Sequence, residues 1–239
     1  MKLMNDKARN AISLCLKNID RLIYDCEYIY DDFSLIKYLS IIAQEEIAKA
    51  FILYLYVNNT VSWAEACNVL RDHKSKQLIA YVIDYIMPEF EEWQERYSYE
   101  NIGKSKNIPK RIIDAVNVFA LEKVKRLSGI DWKYENEIIE NIVSKIADGK
   151  RDIEKQNAIY VSIDENMNIT NNPFDVKEEI ALKELETAKR MKSVISITDN
   201  KITVQIGYEF ELIELALKLA LDKITVDEYK DKMRIWIHE

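Results

Sequence analysis

Residues 34–57 place the strongest constraint on the fold. Leu35, Leu39, Ile42, Ala43, Ile47, Ala50, Phe51 and Leu55 recur at helical spacing and leave little of the circumference polar. The helix they predict, from about Ser34 to Val57, therefore has to run through the centre of what the chain builds. Gln44-Glu45-Glu46 and Lys49 interrupt that apolar run. Two further polar clusters break apolar segments in the same way. One is Asp72-His73-Lys74-Ser75-Lys76, at the start of a predicted helix, and the other runs from Glu154-Lys155-Gln156 to Tyr160-Val161, into a predicted strand. Charges set in apolar surroundings are costly without partners, so Glu45, Lys49, His73 and Lys155 are expected to converge.

Only 4 Gly and 3 Pro occur among 239 residues, too few to punctuate an all-β fold, and the class is therefore mainly α. Apolar residues from Ala8 to Cys26 predict a first amphipathic helix, and Ser62 caps a short one reaching about Leu70. Further helices are expected around 78–86, 112–128 and 138–146, with an exposed loop at 103–107 and a solvent-facing Glu-rich stretch at 89–99. The period then changes. Ile159, Val161 and Ile163 alternate with Tyr160 and Ser162, and a turn signal at 164–168 precedes Ile169, so a small β-hairpin closed by Asn171-Asn172-Pro173 is expected. Helices over 176–194, 208–221 and 226–237 follow, with a brief strand-like alternation at 201–206. The expected organisation is a helical domain with its hairpin over 1–174 and a helical C-terminal extension over 175–239 packed on it.

With 41 acidic and 34 basic residues the formal charge is −7, which disfavours a broad nonspecific nucleic-acid groove but leaves a local basic pocket open. Cys15, Cys26 and Cys67 lack metal-ligand spacing and read as small core hydrophobes. No signal-peptide pattern and no apolar run of roughly 18 residues is present, so a cytoplasmic protein is expected.

A carboxylate, an imidazole, lysines and a phenol in separate segments are the raw material of general acid/base chemistry on a phosphate. His73, Glu45, Glu46, Lys49, Lys155 and Tyr160 are the candidate catalytic residues, and Lys74, Lys76 and Gln156 the candidates for RNA or phosphate binding. Each has a plainer reading. Glu45 and Lys49 have the favourable spacing of a surface ion pair, a lone histidine is commonly structural, and Lys155 and Gln156 can be the exposed end of a helix beside a half-buried Tyr160 ring. Glu45 and Glu46 are adjacent and point about 100° apart on a helix, with no further ligand at helical spacing, so no metal and no cofactor is expected.

In order, Glu-Glu-x-x-Lys at Glu45 to Lys49, His-Lys-x-Lys at His73 to Lys76, and Lys-Gln-x-x-x-Tyr-Val at Lys155 to Val161 before Asn172-Pro173 resemble the AbiV family of bacterial abortive-infection proteins. The likeness spans roughly residues 8–173. It implies a HEPN-like helical bundle and a phage-defence role that shuts down host processes such as translation. Kinship with HEPN ribonucleases, many of them dimeric and metal-independent, implies a homodimer, RNA as a partner and a phage-encoded activator protein. The chain departs from those ribonucleases in lacking their Arg-to-His spacing, and Tyr160 stands where their histidine would be. The expected function is a toxin-like effector on RNA or the translation machinery, with His73 as base. The alternative is a non-catalytic protein that binds a phage or ribosomal component, its polar clusters forming a structural network. The apolar stretch 210–221 is expected to be covered by the bundle or by a twin subunit.

Overall fold

The computed structural model describes residues 2–59, 61–84, 148–193, 195–198 and 201–204, with a few isolated positions elsewhere. The chain divides into two compact units, one of Met1–Ala80 with Asp148–Gln205 and the other of Tyr81–Ala147 with Ile206–Glu239. The helices expected over 112–128, 208–221 and 226–237, the loop at 103–107, the Glu-rich stretch at 89–99 and most of the helix at 138–146 lie outside the described residues or touch them only at isolated positions.

The first unit is mainly helical. α1 (Lys2–Tyr28) and α2 (Phe33–Val57) form an antiparallel pair, and α2 is the hub, packing chiefly against α1 on one side and α6 (Glu178–Lys192) on another. Its apolar circumference explains this position. Ile41, Ala43, Ile47, Ala48, Phe51, Ile52 and Leu55 are all 1% exposed or less, each large one contributing roughly 1.5–3 kcal/mol by leaving water. Asp32 starts α2 by accepting a hydrogen bond from the Leu35 N–H at 2.9 Å. Beyond its C-terminus Asn59 takes φ +60°, a conformation asparagine tolerates better than most residues.

Ser62 opens α3 (Trp63–Arg71) with a full capping box, its hydroxyl accepting from the Glu65 N–H while the Glu65 carboxylate accepts from the Ser62 N–H. The Tyr56 and Trp63 rings, 5.2 Å apart, bring α3 back against the end of α2. Asp72 then ends one helix and caps the next. Its carboxylate accepts from the N–H groups of Lys74 and Ser75 and from the Ser75 hydroxyl, so the helix over 73–84, α4, begins at His73.

The chain re-enters the unit at Asp148, and Gly149, with φ +79°, starts α5 (Lys150–Asn157). The expected hairpin is present but shorter: β1 (Ser162–Ile163) pairs antiparallel with β2 (Ile169–Asn171), and Ile159 to Val161 lie before it rather than within it. A 3-10 turn at Pro173–Asp175 follows, where the buried Ser34 hydroxyl of α2 donates to the Pro173 carbonyl. α6 ends at Lys192, so residues 195–198, which sequence periodicity left unassigned, are free to form β3 (Ile195–Thr198) against β4 (Lys201–Val204). The alternation at 201–206 is thus one arm of a second hairpin. Among the described residues no helix is long and apolar enough to cross a membrane.

Candidate functional site

Glu45 is the centre of a polar cluster built into the face of α2 that meets α4 and α5. Its carboxylate is 4% exposed, which by itself would make the charge expensive. Four groups from the two neighbouring helices converge on it. Oε1 accepts from Gln77 Nε2 at 2.9 Å and from Lys155 Nζ at 2.9 Å. Oε2 lies 2.7 Å from His73 Nδ1 and 3.6 Å from Lys76 Nζ. Burial pushes the Glu45 carboxyl up, but the hydrogen bonds from Lys155, Gln77 and His73 and the Lys155 charge outweigh it, and the net pKa is lowered from 4.5.

The capping of α4 by Asp72 puts His73 in its first turn, where the ring reaches Glu45 while remaining half-exposed. A carboxylate can only accept, so a 2.7 Å contact assigns the ring hydrogen to Nδ1 and leaves the Nε2 lone pair without a protein partner among the described residues. Lys155 Nζ is 3.2 Å from the same Nδ1, and with the ring hydrogen on that nitrogen this is a close approach of two donors that share the Glu45 carboxylate rather than a hydrogen bond.

Lys155 is buried by the docking of α5 on α2. Its ammonium bridges Glu45 and Asp152, at 2.9 and 2.6 Å. Burial lowers the Lys155 pKa, yet the hydrogen bonds and charges of Asp152 and Glu45 prevail and raise it above 10.5. Lys76, also buried, has among the described residues only the longer contact to Glu45. Desolvation dominates there, with Lys49 and Lys155 adding like charge, and its pKa is lowered.

The pose of α5 is fixed by a second network beside the first. Arg151, one turn before Lys155, donates to both carboxylate oxygens of Glu184 on α6 at 3.1 and 2.8 Å and to Gln44 Oε1 at 2.8 Å. Gln44 Nε2 in turn donates to Glu184 at 2.8 Å. Adjacent residues of α2 thus hold adjacent turns of α5: Gln44 takes Arg151 and Glu45 takes Lys155.

The candidates divide clearly. Glu45, His73, Lys76 and Lys155 meet in one cluster. Glu46 points elsewhere, as the 100° step requires, pairing with Lys49 and facing Cys15, whose thiol is pushed up to about 12 by burial and by the Glu46 charge. Lys49 is accordingly an ion-pair partner of Glu46 rather than a ligand of Glu45, although its charge is felt at Lys76. Lys74 is exposed beside His73, with its Cε 3.0 Å from where a Gly149 side chain would begin. Gln156 is exposed and donates to Asp152 at 3.0 Å. Tyr160 is not brought to the cluster. It is 61% exposed, past the end of α5, and its backbone N–H and carbonyl are tied to Gln156 and Asn171.

Gln77 and Asp152 belong to the cluster and escaped sequence reasoning, together with the supporting Arg151 and Glu184. Gln77 follows Lys76 directly, and Asp152 lies three residues before Lys155 on the same helical face, so helical spacing from the motif residues could have found Asp152. Arg151 and Glu184 carried no comparable signal.

The family model described as AbiV, of the HEPN group, matches residues 7–193, which takes in every residue of both networks. No curated protein and no solved structure matches.

Proposed function

The chain belongs to the AbiV family of HEPN-type abortive-infection proteins, and from that premise we propose that it is a toxin-like effector acting on RNA or the translation machinery by metal-independent RNA cleavage. The observation that carries this reading is the half-exposed His73 ring, anchored at Nδ1 by a buried carboxylate 2.7 Å away. A carboxylate that fixes the tautomer and orientation of an imidazole leaves Nε2 as a base aimed away from its anchor.

In the proposed reaction Nε2 removes the proton of a ribose 2′-hydroxyl, and the resulting oxygen attacks the adjacent phosphorus. The P–O bond to the 5′ oxygen of the next nucleotide breaks, the leaving oxygen takes a proton from water and Nε2 gives its own back to solvent, leaving a 2′,3′-cyclic phosphate and a 5′-hydroxyl. Exposed Lys74, next to His73, is the cation suited to a phosphate oxygen. Lys155 and Lys76 act behind the ring, keeping Glu45 ionised so that it stays a pure acceptor for Nδ1–H. Glu45 is therefore a positioning residue and His73 the catalytic one.

The test is incubation of the purified protein with total cellular RNA in the presence of a chelator, alongside His73→Ala. Fragments ending in cyclic phosphate with the parent protein and none with the folded variant are expected. Intact RNA with both proteins, while expression of each slows growth equally, would move the function to the binding of a phage or ribosomal component, with the cluster as a structural network.

A further inference from the structure

The two oxygens of Glu45 have different partners. Oε1 serves Gln77 and Lys155, while Oε2 is left to the His73 ring, with Lys76 at the longer 3.6 Å. Glu45 and Lys155 alone would not keep that division. The Lys155 ammonium is 2.9 Å from Oε1 and 3.2 Å from His73 Nδ1, so it stands beside the donor that occupies Oε2. A full positive charge attracts a carboxylate more strongly than a neutral ring N–H does, and the burial of Glu45 widens the difference. With no other counterion the ammonium would settle across both oxygens and displace the ring from Oε2.

Asp152 supplies that counterion. One turn before Lys155 on α5, it sets its buried Oδ1 2.6 Å from the ammonium. Its other oxygen, Oδ2, accepts from Gln156 Nε2 at 3.0 Å, so the carboxylate is held and cannot follow a shifting ammonium. Burial lowers the Lys155 pKa, and the contact with Asp152 is the largest influence opposing it, ahead of those from Glu45. Two carboxylates, Glu45 and Asp152, thus face two ammoniums, Lys76 and Lys155, and without the charge of Asp152 both lysines would draw on Glu45 alone.

We propose that Asp152 is a positioning residue for His73: it holds the Lys155 ammonium to Oε1 of Glu45, which keeps Oε2 open to the ring Nδ1–H and leaves Nε2 free to take a proton. The role rests on His73 being the base in the reaction described above. Asp152 acts through Lys155 and Glu45 and touches no reacting atom. Gln156 steadies it through Oδ2, which gives that side chain a place in the arrangement without contact with RNA.

The experiment uses the full chain in a His238→Ala background, where His73 is the single imidazole of a chain that has 2 histidines. Nitrogen NMR of the ring, in mildly alkaline buffer where a free imidazole is neutral, tells which ring nitrogen carries the hydrogen. The parent is expected to show Nδ1–H. Asp152→Asn is expected to move much of that hydrogen to Nε2. It should also lower cleavage at saturating RNA by roughly tenfold or more, within the 10²–10⁴ that a general base contributes, with KM unchanged. Adding Lys155→Met to Asp152→Asn is expected to return the hydrogen to Nδ1, because the competing ammonium is gone. An Nε2–H parent, an unchanged ring in Asp152→Asn, or a double variant that stays at Nε2–H overturns the proposal. The ring signals need no RNA, so a parent that shows Nδ1–H yet cleaves nothing counts against the reaction, while the variants still decide the role of Asp152. Should Asp152→Asn fail to fold, its rescue by Lys155→Met supports Lys155 as the intermediary, and a double variant that also fails to fold overturns it.

Discussion

Lys155 Nζ reaches Glu45 Oε1 across 110 residues of sequence at a distance of 2.9 Å, and each residue accounts for the burial of the other. Removing one partner leaves a charge in the interior without its counterion, which costs far more than the pair contributes.

Glu45→Ala is therefore expected to lower unfolding free energy by about 3–5 kcal/mol, since Lys155 and Lys76 would stay buried with their shared carboxylate gone. Combining it with Lys155→Met should cost less than the sum of the two single changes, with a coupling on the order of 0.5–3 kcal/mol. Urea denaturation of the four proteins checks this. Strict additivity would mean that the two side chains do not share a network in solution.

His73→Ala is expected to act differently. The ring is half-exposed, so folding should be little affected, while RNA cleavage falls by roughly 10²–10⁴ if the imidazole is the general base. Glu45→Gln should reduce activity as well, because an amide no longer enforces the Nδ1 tautomer. Comparing cleavage rates with thermal melts for both variants separates the chemical effect from the structural one.

Acid stability follows from two carboxylates. Burial pushes both Glu45 and Glu184 up, but Lys155 at the first and Arg151 at the second prevail, so each folded pKa lies below the ordinary 4.5. A lowered folded pKa gives stability that is present above about 4.5 and lost as pH falls through the folded value. Melting temperature should thus fall as pH drops below 4.5, and less steeply in Glu184→Gln. On the alkaline side the two lysines oppose each other. Lys155, raised, loses its contribution as pH climbs above 10.5, while Lys76, lowered, is relieved of its burial penalty over the approach to 10.5.

Gly149→Ala tests the entry to α5. The φ of +79° disfavours any side chain, and the new Cβ would stand 3.0 Å from Lys74 Cε. Lys74 is exposed and its far end can yield, so the backbone cost dominates, at about 1 kcal/mol. A melt indistinguishable from that of the parent would show that α5 can start in another conformation.

Much of this was legible in residues 34–57. Apolar residues on nearly every face made α2 central, and the cost of charge in such a helix made partners for Glu45 necessary. Ser62 announced its helix start through capping chemistry, whereas the capping of α4 by Asp72 emerged only with the structure. What could not be read was direction. Glu45 and Glu46 are equivalent as letters, and only the packing of α4 and α5 against one face decides that Glu45 gains four partners while Glu46 turns to Lys49 and Cys15. Lys155 gave the same difficulty, since a lysine followed by glutamine resembles a solvated helix end until Arg151 and Glu184 are known to press α5 down. Tyr160 erred the other way. Its motif position suggested chemistry, but the helix ends before it and the ring faces solvent.

The side-by-side anchoring of Arg151 on Gln44 and Lys155 on Glu45 bears on how such a protein is made. Synthesis is vectorial, and a nascent chain that has reached residue 150 already carries Glu45 and His73 but neither Arg151 nor Lys155. Glu184, which locks Arg151 in place, emerges later still. The imidazole and its carboxylate thus exist long before the groups that set their charge and geometry, and a truncated product ending before α5 would hold the parts of the cluster without its working form. Assembly of the cluster is therefore deferred until nearly all of the matched family region has left the ribosome.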